Sequence, residues 1–340
     1  MKKVAIVITN RASYGRLKSV IKGLHESPNF ELQLIIAGGA LNLDIEFPIV
    51  DRLYCLVDGD STDSMVLSSS LLSTQLTSVF RRLNPDLVFI HGDRFEMLDV
   101  AKTASYMNIP IAHTEGGEDS GTIDNKVRNA ITSLADYHFV VTEKAFNRVK
   151  EITNSNNIYC VGSTSLDTVV KSDLSNNRIN KYILILINPN TTVKEDFEKF
   201  VADIKKMSLP IVWVNPNFDS GAKEILKKIH QINGVVFIKN TTPEEYYRLL
   251  ANCEIAVGNS SSFIKEGSFL GVKALIVGDR QHNREHDDNV KFTTYENMYC
   301  DFIDYLCLKK PRPSNMFGDG TSSRKILDIL SEVLIWIYLE

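Results

Sequence analysis

The sequence predicts an α/β protein built from two doubly wound parallel-sheet domains, on three observations. Short β-branched runs alternate with longer amphipathic stretches along the chain. The strand candidates are continuously apolar, as strands covered by helices on both faces must be. At 340 residues the chain exceeds the size at which a single core keeps growing, so two domains are the natural division.

The strands of the first domain are expected in VAIVIT (4–9), LQLIIAG (32–38), DLVFIH (86–91), IPIAH (109–113), YHFVVT (137–142) and IYCVG (158–162). A polar stretch, KSDLSNNRINK (171–181), interrupts the rhythm. It resumes with YILILIN (182–188), PIVWVN (210–215), GVVFIKN (234–240), EIAVGN (254–259) and KALIVG (273–278). Among the helices, 94–107 follows a strand end, and 194–207 places Phe197, Phe200, Val201 and Ile204 at core-facing spacing. A last helix near 322–338 carries Ile326, Leu327, Leu330, Leu334 and Ile335. That face is too apolar for a free tail, so it is expected to dock, back across the first domain. The expected division is 1–172, 173–320 and a C-terminal helix 321–340, with the two similar halves facing each other across a crevice.

Composition narrows the function. A net charge of -4 without a Lys/Arg run argues against nucleic acid as a partner, so an anionic ligand has to be held by a few placed groups. Five dispersed cysteines without a CxxC pair read as reduced thiols. The apolar start is too short for a signal peptide, and no run approaches membrane-spanning length. A cytoplasmic protein with no membrane association is expected.

The site-bearing residues cluster at strand ends, where open parallel sheets bind ligands. Asp93, Glu115 and Asp124 fall where apolar strands run out into glycine-rich or polar turns, with Arg94, Arg128, His91 and His113 nearby. Acids beside an arginine can have their pKa values pushed apart, as general acid/base work requires; Asp93 taken alone reads first as an N-cap of helix 94–107, and it is the trio that reads as a site. The run Gly258-Asn259-Ser260-Ser261-Ser262 ends a strand and opens a helix. It suits a diphosphate, and it suits an ordinary N-cap as well. Glu266, one turn in, is placed for ribose hydroxyls or for the helix terminus. Arg280 has the fork that phosphate or a uracil edge would use, although a solvated loop accounts for it too. Arg11 sits in the first βα turn, a contact position or a capping turn. Asn188 and Asn129 are cleft-lining candidates. No GxGxxG occurs, which disfavours a dinucleotide, and His282 and His286 have no partner at metal-ligand spacing.

The pattern HGDRFE, then IAHTEGGEDSGTIDNKVRNAIT and YHFVVTE, then GNSSSFIKEGSFLGV and VGDRQ, resembles the hydrolysing nucleotide-sugar 2-epimerases of sialic, legionaminic and related nonulosonic acid pathways. The resemblance runs from NRASY to GDRQ, in the same segment order. It implies two Rossmann-like domains in a GT-B-like fold, a cofactor-free and metal-free mechanism through a glycal, and UDP-N-acetylglucosamine or a related nucleotide-sugar as substrate. It further implies a homo-oligomer, often a dimer. The catalytic acids carry over to Asp93, Glu115 and Asp124, and the nucleotide or substrate contacts to Arg11, Arg94, Arg128, Asn188, Ser260, Ser261, Glu266 and Arg280.

Departures from that pattern bear on the substrate. Histidines expected by the resemblance are absent at Ala40, Asn129 and Asn188, and Phe263 replaces a glycine after the serines. The first turn reads Arg11-Ala12-Ser13-Tyr14-Gly15, without the usual acid. Two alternatives therefore stand beside an active epimerase. One is a nucleotide-sugar-binding relative without turnover, and the other a GT-B glycosyltransferase, which the architecture alone permits.

Overall fold

In a computed structural model, the structure describes residues 1–57, 61–120, 122–175, 181–190, 197–216, 221–229 and 232–336. The chain divides into two compact units, one of Met1–Glu118, Asp124–Thr168 and Gly318–Glu340, the other of Asp119–Ile123 and Val169–Phe317.

The first unit runs β1 (Lys2–Ile8), α1 (Arg11–Glu26), β2 (Phe30–Ala37), β3 (Ile49–Leu53), α2 (Thr62–Leu83), β4 (Leu87–His91), α3 (Phe95–Tyr106), β5 (Ile111–Thr114), α4 (Asp124–Leu134), β6 (Tyr137–Val140), α5 (Glu143–Thr153) and β7 (Ile158–Cys160). α6 (Ser165–Lys171) follows. The seven strands form one sheet in the order β3-β2-β1-β4-β5-β6-β7, with every strand pair parallel. Alternate residues of β1 serve opposite faces, which explains its uninterrupted apolar run. Val4, Ile6 and Ile8 pack with Leu17, Val20 and Leu24 of α1. Ala5 and Val7 pack with Leu72 and Leu76 of α2 and with Val100 and Ala104 of α3.

The second unit runs β8 (Ile183–Leu186), α7 (Phe197–Ile204), β9 (Ile211–Val214), α8 (Ala222–Ile229), β10 (Val235–Ile238), α9 (Pro243–Asn252), β11 (Ile255–Gly258), α10 (Ser261–Leu270), β12 (Ala274–Val277), β13 (Val290–Thr293) and α11 (Met298–Cys307). Its parallel strands are ordered β10-β9-β8-β11-β12-β13. Phe200 meets Trp213 edge-on at 5.8 Å in the core, and Phe197 meets the same indole.

Each expected strand is present; β1 and β2 begin two residues earlier than expected, β5 ends one residue later, and the other expected strands are trimmed at one or both ends. Two edge strands, β3 and β13, went unread because they hold charged or polar residues: IVDRL and VKFT lack the continuous apolar run of a central strand. Helix 194–207 is seen from Phe197, its first residues lying outside the described ones. Asp93 is not an N-cap. That position belongs to Arg94, which makes no side-chain capping bond. Among the described residues no helix is long and apolar enough to cross a membrane.

The last helix, α12 (Ser322–Trp336), packs within the first unit. Ile326, Leu330 and Leu334 are buried in the same cluster as the α1 side chains. Gly23 of α1 leaves room for Leu327, since a Cβ there would stand 2.3 Å from its Cδ1. The start of α12 is fastened by Asp167, whose two carboxylate oxygens accept from the backbone N–H groups of Ser322 and Ser323 at 2.8 and 2.6 Å. A buried carboxylate on the free amides of a helix N-terminus makes strong, charge-assisted bonds. Asp167→Ala should therefore cost about 2 kcal/mol, read as a lowered urea midpoint with an unchanged slope. Asp167→Asn should recover part of the loss, because its single carbonyl oxygen still accepts one of the two amides.

Candidate functional site

Strand order places the candidate residues. In a doubly wound sheet the order reverses at one point, and the carboxyl ends of the two strands flanking it leave room for a ligand. In the first unit that point lies between β1 and β4, followed by Arg11 and Asp93; in the second it lies between β8 and β11, followed by Asn188 and Ser260.

In the first unit, β4 and β5 end side by side. The Gly92 N–H donates to the Thr114 carbonyl at 3.0 Å and the Glu115 N–H to the Phe139 carbonyl at 3.1 Å, so Asp93 and Glu115 stand just past neighbouring strands. Asp93 is ion-paired with Arg128 of α4. That guanidinium is 1 % exposed and also donates to the Glu118 carbonyl and to Asn125 Oδ1, both at 2.7 Å. Asp124 opens α4, one turn before Arg128, where a negative charge suits the helix dipole.

Glu115 is buried and adopts a left-handed backbone, φ +62°, unusual for a residue with a side chain. Its Oε2 accepts from Arg16 Nη1 of α1 at 3.2 Å and stands 3.9 Å from His91 Nε2. Ser163, after β7, donates to its Oε1 at 3.4 Å. The following glycines hold the loop down. A Cβ on Gly117, at φ +78°, would lie 2.3 Å from the Ala145 carbonyl, and one on Gly116 would lie 3.1 Å from His113 Nδ1. His113 donates from Nε2 to the Gly92 carbonyl at 2.8 Å. Burial pushes its pKa from 6.5 down to about 4, and burial does the same to His138, its cross-strand neighbour. These two histidines are neutral parts of the support.

Arg94 turns to Glu96 in a two-pronged pair, Nε to Oε2 at 3.0 Å and Nη2 to Oε1 at 3.1 Å. Arg11 opens α1 behind its N-cap Asn10, which accepts from the Ser13 N–H at 2.9 Å. The structure thus joins Asp93 directly to Arg128, and surrounds Glu115 with Arg16, His91 and Ser163. Arg16 and Ser163 went unread. Arg16 is an unmarked helix position, whereas Gly-Ser-Thr-Ser at 162–165, after a strand, was a readable signal.

In the second unit the hub is Asn259, fully buried. Its Oδ1 accepts from the Asn188 N–H at 2.7 Å, and its Nδ2 donates to the Asn188 carbonyl at 2.8 Å. Its own carbonyl accepts from Arg280 Nη1 at 3.1 Å and from Gln281 Nε2 at 3.2 Å. Arg280 is therefore tied to the serine turn rather than left in a solvated loop. Ser260 caps α10, its Oγ accepting from the Ser262 N–H and lying 2.8 Å from Ser262 Oγ, which bonds in turn to the Tyr246 hydroxyl. Ser261 is the first helical residue, and Glu266, 2 % exposed, lies within the helix. Gly258 makes the turn possible: at φ +150° its Cβ would sit 2.0 Å from the Leu186 carbonyl.

A family model described as UDP-N-acetylglucosamine 2-epimerase matches residues 9–331. The UDP-N,N'-diacetylbacillosamine 2-epimerase (hydrolyzing) of Legionella pneumophila is 30% identical, over 98% of this chain and 96% of that protein. The UDP-N-acetylglucosamine 2-epimerase of Neisseria meningitidis serogroup B is 28% identical, over 99% of this chain and 97% of its own. The UDP-GlcNAc 2-epimerase of Methanocaldococcus jannaschii, crystallised in complex with UDP-GlcNAc and UDP, superposes with a TM-score of 0.84 at 19% identity, covering 97% and 99% of the two chains.

Two outcomes follow from this geometry. Gly117→Ala and Gly258→Ala each force a side chain onto a carbonyl in a conformation that only glycine adopts easily. Each should cost about 2 kcal/mol or more, seen as a thermal midpoint several degrees lower. The histidines set a pH window. Above pH 6.5 they are neutral in both folded and unfolded chains; between 6.5 and about 4 the unfolded chain takes up protons that the folded one refuses. Stability should be complete at neutral pH and fall through that window, by about 3 kcal/mol for one fully buried ring. Urea midpoints should show a shallower fall for His113→Gln.

Proposed function

We propose, for a chain that belongs to the UDP-N-acetylglucosamine 2-epimerase family, that it hydrolyses an NDP-activated N-acetylated hexosamine with inversion at C2. The products are NDP and a free manno-configured sugar. In the first half-reaction a carboxylate takes the C2 proton, the C–H electrons form a C1–C2 double bond, and the diphosphate leaves C1 with its bonding pair. In the second, water adds at C1 of the glycal and C2 is protonated from the opposite face.

The observation that carries this reading is the pair Asp93 and Glu115 past neighbouring strand ends, each beside a guanidinium. The ion pair orients the Asp93 carboxylate, and Arg128 is spent on it rather than on solvent. Asp124 completes the acid set. The start of α10, with Ser260, Ser261 and Arg280 drawn together by Asn259, is suited to the departing diphosphate. Glu266 suits the ribose, Asn188 lines the turn, and Arg11 and Arg94 are the further nucleotide contacts, Arg94 by exchanging Glu96 for phosphate. A cytoplasmic homo-oligomer is part of the proposal: α2 leaves Val66, Leu67 and Leu71 exposed, a face that a second copy would cover.

The absent histidines at Ala40, Asn129 and Asn188 favour a second reading, a relative that binds nucleotide-sugar without turnover. One experiment separates the two. UDP-N-acetylglucosamine and UDP-N,N'-diacetylbacillosamine are supplied in D2O and the products followed by NMR. The proposal expects free sugar of manno configuration, one deuterium at C2, and an equivalent of UDP. An intact UDP-manno-sugar would mean epimerisation without hydrolysis; a glycoside formed with an added acceptor would mean glycosyl transfer; UDP binding without product would support the second reading. Asp93→Ala and Glu115→Ala should lower kcat by at least about a hundredfold while UDP affinity changes little, and full rate in either variant would sink the acid assignment.

A further inference from the structure

His91 is the last residue of β4 and is buried, 4 % exposed. Its Nδ1 lies 2.9 Å from Thr114 Oγ1. The hydroxyl of Thr114 also reaches the Ile90 carbonyl at 3.4 Å, and a carbonyl only accepts. When the hydroxyl proton goes to Ile90, the hydroxyl oxygen accepts from Nδ1–H of His91. With Nδ1 carrying the proton, neutral His91 presents a lone pair at Nε2. That nitrogen faces Glu115 Oε2 at 3.9 Å, an ion-pair distance just beyond hydrogen-bond reach. Arg16 of α1 also reaches Oε2, and Ser163 touches Oε1. A proton arriving on Glu115 thus finds an acceptor next to it in a buried setting, where bulk water is not at hand to take it.

We propose that His91 is the proton partner of Glu115, receiving at Nε2 the proton that Glu115 accepts from the sugar. This rests on the reading of Glu115 as one of the acids of a 2-epimerase. The step balances. Glu115 Oε2 binds the proton while the C–H electrons stay on the sugar, and the proton then passes to Nε2. Glu115 returns to carboxylate, His91 becomes imidazolium, and the proton goes back through Glu115 to water once the products have left, before the next turnover. The imidazolium is stabilised by the carboxylate it faces, and Thr114 holds the ring so that rotation cannot break the line. His91 acts through Glu115, so it is a positioning residue that does not itself touch substrate.

His91→Asn tests this, because the Asn amide reproduces the Nδ1 donor to Thr114 and removes only Nε2. The expected result is a kcat at least tenfold lower with KM within about twofold, and a kcat profile flattened between pH 5 and 8. Wild-type kcat and profile in His91→Asn would overturn the proposal, leaving the Thr114 contact as the whole role of His91. A second measurement needs no turnover. The His91 Cε1–H resonance, assigned by its loss in His91→Asn, is titrated in the otherwise wild-type chain and in Glu115→Gln. Its midpoint should fall by about one pH unit when the facing carboxylate is neutralised; an unmoved midpoint would overturn the proposal. If the wild-type chain converts no nucleotide-sugar, the functional reading fails by itself, and the titration still decides whether His91 and Glu115 are coupled.

Discussion

Arg128 carries a full positive charge with 1 % of its surface exposed, and the acidic end of the first sheet is arranged around that charge. A buried guanidinium left unpaired would cost several kcal/mol. Its partners include Asp93 past β4, the Glu118 carbonyl beyond β5, and Asn125 in the first turn of its own helix. Satisfying one side chain thus draws together the end of a strand, a glycine-rich loop and a helix start. The carboxylate of Asp93 is oriented as a by-product of that requirement. A site built on a charge that must be satisfied is stiffer than one built on mobile surface groups, which suits chemistry that depends on placing an acid to within a fraction of an ångström.

Glu115 shows the same economy by different means. Its left-handed backbone is unfavourable for a residue with a side chain, by roughly 1 kcal/mol, and it persists because the residues on either side leave no alternative. Thr114 is held in the ladder, and Gly117 is wedged against the start of α5, where only a glycine fits. The turn aims the carboxylate at Arg16, His91 and Ser163, which arrive from α1, β4 and the end of β7. Behind it, His113 stays neutral because burial disfavours its charged form more than the Gly92 carbonyl and Glu115 favour it, and burial with the neighbouring His113 keeps His138 neutral too. Charge is admitted in front of the loop and refused behind it.

The second unit reaches a comparable result almost without formal charge. Asn259 spends its amide on both backbone groups of Asn188 and its carbonyl on Arg280 and Gln281. One neutral side chain therefore ties the end of β8, the start of α10 and the loop after β12 to one another. Gly258 lets β11 run against Leu186 closely enough for those bonds to form. The helix start that results holds hydroxyls and amides at the point where the strand order reverses.

Much of this was legible in one dimension. Uninterrupted apolar runs identify the central strands because a strand covered on both faces has no polar side to alternate with, and the glycines and serines after them mark turns that only small residues allow. The edge strands β3 and β13 were not legible, since a half-covered strand needs no such run. Local sequence also marked Asp93, Glu115, Asp124 and the serine turn as residues past strand ends. It could not say that Asp93 would go to Arg128 rather than cap α3, that Arg94 would turn to Glu96, or that Arg16 and Ser163 would reach Glu115 from 99 and 48 residues away. Which cation meets which acid is set by strand order and by the need to satisfy buried charge. Both are properties of the folded chain, because neighbours across a parallel sheet are separated in sequence by whole crossover helices.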